Sequence, residues 1–177
     1  MTLLDFFKNT SNLKNISRQG WIDKLSIEHP ESAADHSYSM AIMAMIISDL
    51  ENYDSEKILK MVLLHDLAES KIGDLTPDQI SKDEKEQIEN NAFSEIIEKL
   101  PNSIKLQYAE IWKEYQKQTS RESQIVHQID RLEMVLQAKI YEKSSLSKKD
   151  ISPFLETAKA DITHPKLKEL FDQIVKD

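Results

Sequence analysis

The chain has 177 residues, no cysteine and a formal net charge of −8 at pH 7. That length fits one domain with a sizeable core, and the missing thiols exclude disulfides, thiolate metal sites and cysteine nucleophiles. The acidic balance speaks against a protein that coats nucleic acid, which needs a basic face, but leaves room for a small phosphorylated ligand met by one or two placed cations. Two glycines, five prolines and 31% charged residues, without the alternating pattern of strands, predict an all-α chain. No apolar run nears the ~20 residues of a membrane span, and the N-terminus lacks a signal pattern, so the sequence reads as soluble and cytoplasmic.

Thr2 caps a first short helix over residues 2–9, with Asp5 completing a capping box. Leu13, Ile16 and Leu25 keep the next stretch near the core. Between them, on composition alone, Arg18 and Trp21 read as a surface cation and a half-buried aromatic. From Ser32 the pattern is helical, with His36, Met40, Met43, Ala44 and Ile47 recurring on one face. His36 thus stands at the N-terminal end of a buried stripe, where a lone histidine is first of all a hydrogen-bonded core residue.

Asp54 or Ser55 caps the next helix, whose apolar face (Ile58, Leu59, Val62, Leu63) runs into His65 and Asp66. Helical spacing places His65 and Glu69 on one face and Asp66 about 100° round. Imidazoles and carboxylates are seldom buried unpaired, so this end must face something that compensates it, and a metal ion is the simplest choice. Gly73 stops the helix and leaves Asp74 on a loop. The stretch Thr76-Pro77-Asp78-Gln79 predicts a new helix start, with Thr76 as cap and Gln79 closing a capping box.

Residues 81–100 read as an acidic amphipathic helix with a solvated charged face, ended by Pro101. Residues 104–116 form another, whose Leu106, Tyr108, Ile111, Trp112 and Tyr115 suit a core or a subunit interface. Ser120 caps the most apolar helix, with Ile125, Ile129, Leu132, Leu136 and Ile140 along one side and Val126, Met134 and Val135 widening it. Asp130 sits inside this run, where an ionised carboxylate costs several kcal/mol unless it is paired or metal-bound. A bond to His127, one turn earlier, is its simplest structural explanation. Ser152-Pro153 and His164-Pro165 open two closing helices, expected to pack on a metal-site core over about residues 32–140 of a single domain, 1–177.

Each of His36, His65, Asp66 and Asp130 has a structural explanation when taken alone. In the order H…HD…D, with the HD pair ending an apolar helix, they resemble the HD-domain superfamily of metal-dependent phosphohydrolases. The segments ESAADHSYSMAIMAMII, LLHDLAESKIGDLTP and HQIDRLEMVLQA are similar to those of the small HD-domain 5'-deoxynucleotidases, and Arg18-x-Gly20-Trp21 resembles their Arg-Trp element. The likeness runs from about Leu13 through the helix of Asp130 and, more loosely, to the C-terminal ITHPKL.

The resemblance implies a single compact all-helical HD domain, homodimeric, that removes phosphate from deoxyribonucleoside 5'-monophosphates. It implies a divalent metal (Mn, Co, Fe, Mg or Zn) held by His36, His65, Asp66 and Asp130, a nitrogen-oxygen set that suits Mn, Co, Fe or Zn better than calcium. The metal would polarise the phosphoryl group and lower the pKa of a nearby water. Arg18 would bind phosphate, Glu69 would orient or deprotonate the attacking water, and Asp74 would hydrogen-bond the ribose or protonate the departing 5'-oxygen. Trp21, Asp74, Leu75, Thr76 and Pro77 would line the substrate, their loop rejecting a 2'-hydroxyl.

Two alternatives stay open. One is a phosphohydrolase or phosphodiesterase acting on another nucleotide; the other is a non-catalytic, metal-stabilised helical interaction protein. The acidic pair of ppGpp hydrolases is absent, because Ser70 follows Glu69, and His127 and His164 do not fall where two-metal phosphodiesterases place further histidines. The chain departs from the family at His127, where a lysine is expected. A cationic contact to phosphate there requires a raised imidazole pKa.

Overall fold

Side-chain caps fix where the long helices begin. Ser32, Asp54, Ser81 and Ser120 each accept the backbone N–H three residues on, and Ser32, Ser81 and Ser120 do so within full capping boxes. The computed structural model describes residues 2–76, 78–144, 146 and 149–177. In chain order the helices are α1 (Leu3–Asn12), α2 (Gln19–Leu25), α3 (Ala33–Glu51), α4 (Ser55–Leu64), α5 (Glu69–Ile72), α6 (Lys82–Ile97), α7 (Asn102–Lys117), α8 (Arg121–Lys143), α9 (Ser152–Asp161) and α10 (Pro165–Lys176). A 3-10 turn, Leu13–Asn15, follows α1. Among the described residues there is no strand beyond a single antiparallel bridge between Ser17 and Ser32.

The main core gathers Met40, Ala44 and Ile47 of α3, Ile58, Met61 and Val62 of α4, and Ile125, Val126 and Ile129 of α8, all buried. A smaller cluster of Trp21, Leu25, Ala138, Tyr141 and Ile151 joins α2 to the second half of α8 and the start of α9. The all-α expectation holds, and the two proline-opened helices start where the sequence places them.

Three residues assigned to buried faces point outward instead. Leu63 is 55%, Leu106 70% and Ile140 46% exposed. On α4 the inward residues are Met61, Val62 and Leu64, which turns Leu63 to the solvent side. On α8 the buried face passes from Ile129 and Leu132 to Val135, Ala138 and Tyr141, because the second half of the helix packs on the smaller cluster. The helix start expected at Thr76 is a turn. Gln79 closes the expected bond by accepting the Thr76 N–H at 3.3 Å, but the helix begins only at Lys82, where the Ser81–Glu84 box supplies both caps. Pro77 lies outside the described residues.

Candidate metal and phosphate site

The bridge that joins Ser17 to Ser32 also seats Arg18. Ile16 accepts the N–H of Ala33 at 2.8 Å, and Arg18 donates its own N–H to the Glu31 carbonyl at 3.1 Å. The guanidinium is thereby drawn inward: its side chain is 13% exposed, and Nη1 donates to Asp66 at 3.0 Å. Trp21 is buried as well, its indole N–H donating to Glu31 at 2.9 Å and its ring lying 4.9 Å from that of Phe154. Arg18 is therefore no surface cation and Trp21 is more than half-buried, because α2 folds back against α8 and α9.

His65 sits just past the last turn of α4, and its Nδ1 is 2.6 Å from the carbonyl of Val62. A carbonyl can only accept, so Nδ1 carries a proton and Nε2 is the nitrogen turned to the site. That Nε2 faces Asp66 Oδ2 at 3.1 Å. His36, fully buried one turn into α3, places Nδ1 2.6 Å from Glu133 and turns Nε2 towards Asp130 at 3.2 Å and Asp66 at 4.0 Å. The expected pairing of Asp130 with His127 does not form. Asp130 meets His36, while His127 donates from Nε2 to the Tyr115 carbonyl at 2.9 Å and stacks on the Tyr115 ring.

The ligand atoms of His36, His65 and Asp66 lie within 4.8 Å of one another, and Asp130 joins through His36. Among the described residues no aligned hydrogen bond satisfies either Nε2, although both atoms are buried. Two orphaned imidazole nitrogens beside two carboxylates are a donor set that a divalent cation fits.

The electrostatics have the same sense. Burial opposes charge on Asp66 and Asp130, yet both carboxyls are held below the ordinary range, Asp66 by His65, Arg18 and His36, and Asp130 chiefly by His36. Burial and Arg18 press the His36 imidazole down, but its contacts with Asp130 and Glu133 prevail and lift it to about 10. The cluster thus favours positive charge between its carboxylates, a place that a cation can take over from a proton. Glu69 moves the other way: burial, then Asp66 and Asp74, push its carboxyl well up, and its Oε2 has no hydrogen-bond partner among the described residues. Burial lowers the His127 imidazole, so the raised pKa that a cationic contact would need is absent there.

Gly73, with φ +80, ends α5 by donating to the Glu69 carbonyl at 2.8 Å and swings the chain into the loop. Asp74 Oδ2 accepts the backbone N–H of Gln19 at 2.7 Å, which ties the loop to the start of α2. Lys85 of α6 secures the next residue by donating to the Leu75 carbonyl at 2.7 Å. Thr76 is buried, its hydroxyl 3.4 Å from Asp23. Arg18, Trp21, His65, Asp66, Glu69, Asp74, Leu75, Thr76 and Asp130 line one cleft of about 510 Å³, and His36 lies buried behind it.

The same cleft draws on residues to which sequence reasoning assigned no functional role: Lys85 and Glu89 of α6, Met134 of α8 and Phe154 of α9. Behind it stand Glu31 and Glu133, with burial and then Glu133 lifting the Glu31 carboxyl to about 7. For Glu133 a signal was present, since it interrupts the apolar run of α8 as Asp130 does. For Lys85 and Glu89, on a helix crowded with charge, none was.

The HD-domain model matches residues 10–170. The chain belongs to the HD-domain family. The 5'-deoxynucleotidase HDDC2 of Dictyostelium discoideum is 38% identical over 185 aligned residues, covering 98% of this chain and 97% of the relative. The HDDC2 5'-deoxynucleotidase of Homo sapiens is 34% identical over 98% of this chain and 84% of its own length. A conserved hypothetical protein from Pyrococcus furiosus shares the fold with a TM-score of 0.78 and 30% identity, over 98% of this chain and 99% of that one.

Proposed function

We propose that this chain is a metal-dependent 5'-deoxynucleotidase that hydrolyses deoxyribonucleoside 5'-monophosphates to deoxynucleoside and phosphate. One observation carries the reading: the buried carboxyl of Glu69, whose Oε2 has no hydrogen-bond partner among the described residues, shares a cleft with the His-Asp cluster and the Arg18 guanidinium. A metal that served only to hold the fold would need neither group. The relatives named 5'-deoxynucleotidase support the substrate class.

His36, His65, Asp66 and Asp130 are the residues that would hold a divalent cation (Mn, Co, Fe, Mg or Zn), which when bound stabilises charge on the phosphoryl oxygens. Arg18 has N–H groups beyond the one given to Asp66, and its fork matches a phosphate. Glu69 orients the attacking water and takes its proton as the new oxygen–phosphorus bond forms. Asp74, steadied through one oxygen by Gln19, hydrogen-bonds the ribose or hands a proton to the 5'-oxygen as its bond to phosphorus breaks. Asp74, Leu75 and Thr76 line the same cleft as Trp21 and would form its sugar side, where a close approach to the ribose would reject a 2'-hydroxyl.

Residues 1–177 act as one domain, and the enzyme works as a cytoplasmic homodimer. Among the described residues no helix is long and apolar enough to cross a membrane. Helix α3 is apolar on both sides: Met40, Ala44 and Ile47 face the core, while Tyr38, Ile42, Met45 and Ile46 are exposed. An apolar outer face of this kind suits a second copy of the chain. Ile46→Glu should convert a dimer to a monomer in light scattering; a monomeric wild type would sink the dimer reading.

The deciding assay strips the protein with chelator, restores Mn²⁺, Co²⁺, Mg²⁺ or Zn²⁺ singly, and measures phosphate release. Each deoxynucleoside 5'-monophosphate is paired with its ribonucleotide, alongside ppGpp, a cyclic nucleotide and a dNTP. Metal-dependent release from the deoxy monophosphates, weak from the ribo forms, is expected. Turnover of another substrate alone replaces the proposed one, and metal binding without any turnover favours the interaction-protein alternative.

A further inference from the structure

Glu133 is 2% exposed on α8, one turn beyond Asp130, among Leu132, Met134 and Val135. A carboxylate at such depth costs several kcal/mol unless a specific partner compensates it. Its partner is His36, whose Nδ1 lies 2.6 Å from Glu133 Oε2. The other nitrogen of the same ring meets Asp130 at 3.2 Å. Residues three apart share a helix face, so one face of α8 holds both nitrogens of one imidazole.

We propose that Glu133 is a positioning residue for the metal site: it accepts the Nδ1–H of His36, fixing the tautomer and ring angle that aim the Nε2 lone pair at the space beside Asp66 and Asp130. The inference rests on the reading of His36 as a metal ligand. His65 is fixed in the same sense by the Val62 carbonyl, but that acceptor is neutral and belongs to its own helix. His36 is held by an ionisable acceptor from a distant part of the chain. An anionic acceptor on Nδ1 also makes Nε2 the stronger donor to a cation. The set Glu31, His36 and Glu133, whose ligand atoms lie within 4.8 Å, extends the arrangement to the substrate wall, because Glu31 also accepts the indole N–H of Trp21.

The test measures the Mn²⁺ dissociation constant of the full-length protein by electron paramagnetic resonance titration. Glu133→Gln keeps an acceptor oxygen without charge and should weaken binding about 10-fold; Glu133→Leu keeps neither and should approach about 100-fold. Thermal unfolding of the metal-free variants shows that they are folded. Folded variants that bind Mn²⁺ as the wild type does overturn the proposal. If neither variant folds, histidine ¹⁵N spectra of the Zn²⁺-loaded wild type decide: a proton on His36 Nδ1 is expected, and a bare Nδ1 overturns it. A wild type that takes up no metal overturns the metal reading itself, whereas metal uptake with unchanged variants overturns only the role of Glu133.

Discussion

One oxygen of Asp66 serves two neighbours: Oδ2 lies 3.0 Å from Arg18 Nη1 and 3.1 Å from His65 Nε2. The guanidinium proposed to bind phosphate is therefore fastened to the carboxylate proposed to bind metal. A change at Asp66 disturbs both functions together, whereas a change at Arg18 need not release the metal.

Asp66→Ala and His65→Ala should each abolish metal binding and turnover at once. Metal content by mass spectrometry after buffer exchange, read beside phosphate release, checks this. A variant that keeps stoichiometric metal would remove that residue from the ligand set.

Arg18→Lys preserves charge but loses the fork. Charge-assisted hydrogen bonds contribute about 1.5–3 kcal/mol, so kcat/KM should fall roughly 10- to 100-fold, with metal affinity nearly unchanged. Unchanged kcat/KM would take Arg18 out of phosphate binding.

Glu69 separates stability from chemistry. Its carboxyl is pushed up by burial beside Asp66 and Asp74, so its charged form opposes folding above the ordinary carboxylate pKa. Glu69→Gln should retain metal and lose about 10²–10⁴ in rate, as for removal of a general base. In the metal-free state the same variant should melt higher, by about 2–4 °C for each kcal/mol relieved. Normal turnover by Glu69→Gln would end its proposed role with water.

The metal-free protein should lose stability on the alkaline side. Folded His36 keeps its proton to about pH 10 against an ordinary 6.5, so this contribution is full below pH 6.5 and gone by about pH 10. Asp66 and Asp130, held low, contribute above the ordinary carboxylate pKa and lose that contribution as pH falls through their folded values. With a divalent cation in place of the proton, the alkaline loss should vanish. Melting temperatures of stripped and metal-loaded protein between pH 6 and 10 check it; parallel profiles would contradict it.

Local patterns by themselves determined most of the helix starts, though not the break at residues 65–68 between α4 and α5, nor the delay of the next start from Thr76 to Lys82. Ser32, Asp54, Ser81 and Ser120 are short polar side chains that satisfy the first free N–H groups of a helix, and Gly73 takes a positive φ that other residues resist, so these boundaries depend on near neighbours in the chain. The H…HD…D order was legible too, because a polar residue within an apolar stripe stands out wherever the chain goes. Tertiary structure alone decided which atoms meet. That Asp130 faces His36 and not His127, that Arg18 is drawn in to Asp66, and that Phe154 joins the cleft all follow from how α2, α3, α8 and α9 pack. The outward turn of Ile140 has the same origin: helical periodicity sets the angle between residues, but only the neighbouring helices set which angle faces the core. Glu133 shows both halves. Its burial was readable from Leu132, Met134 and Val135 around it, but its partner, 97 residues away in the chain, was not.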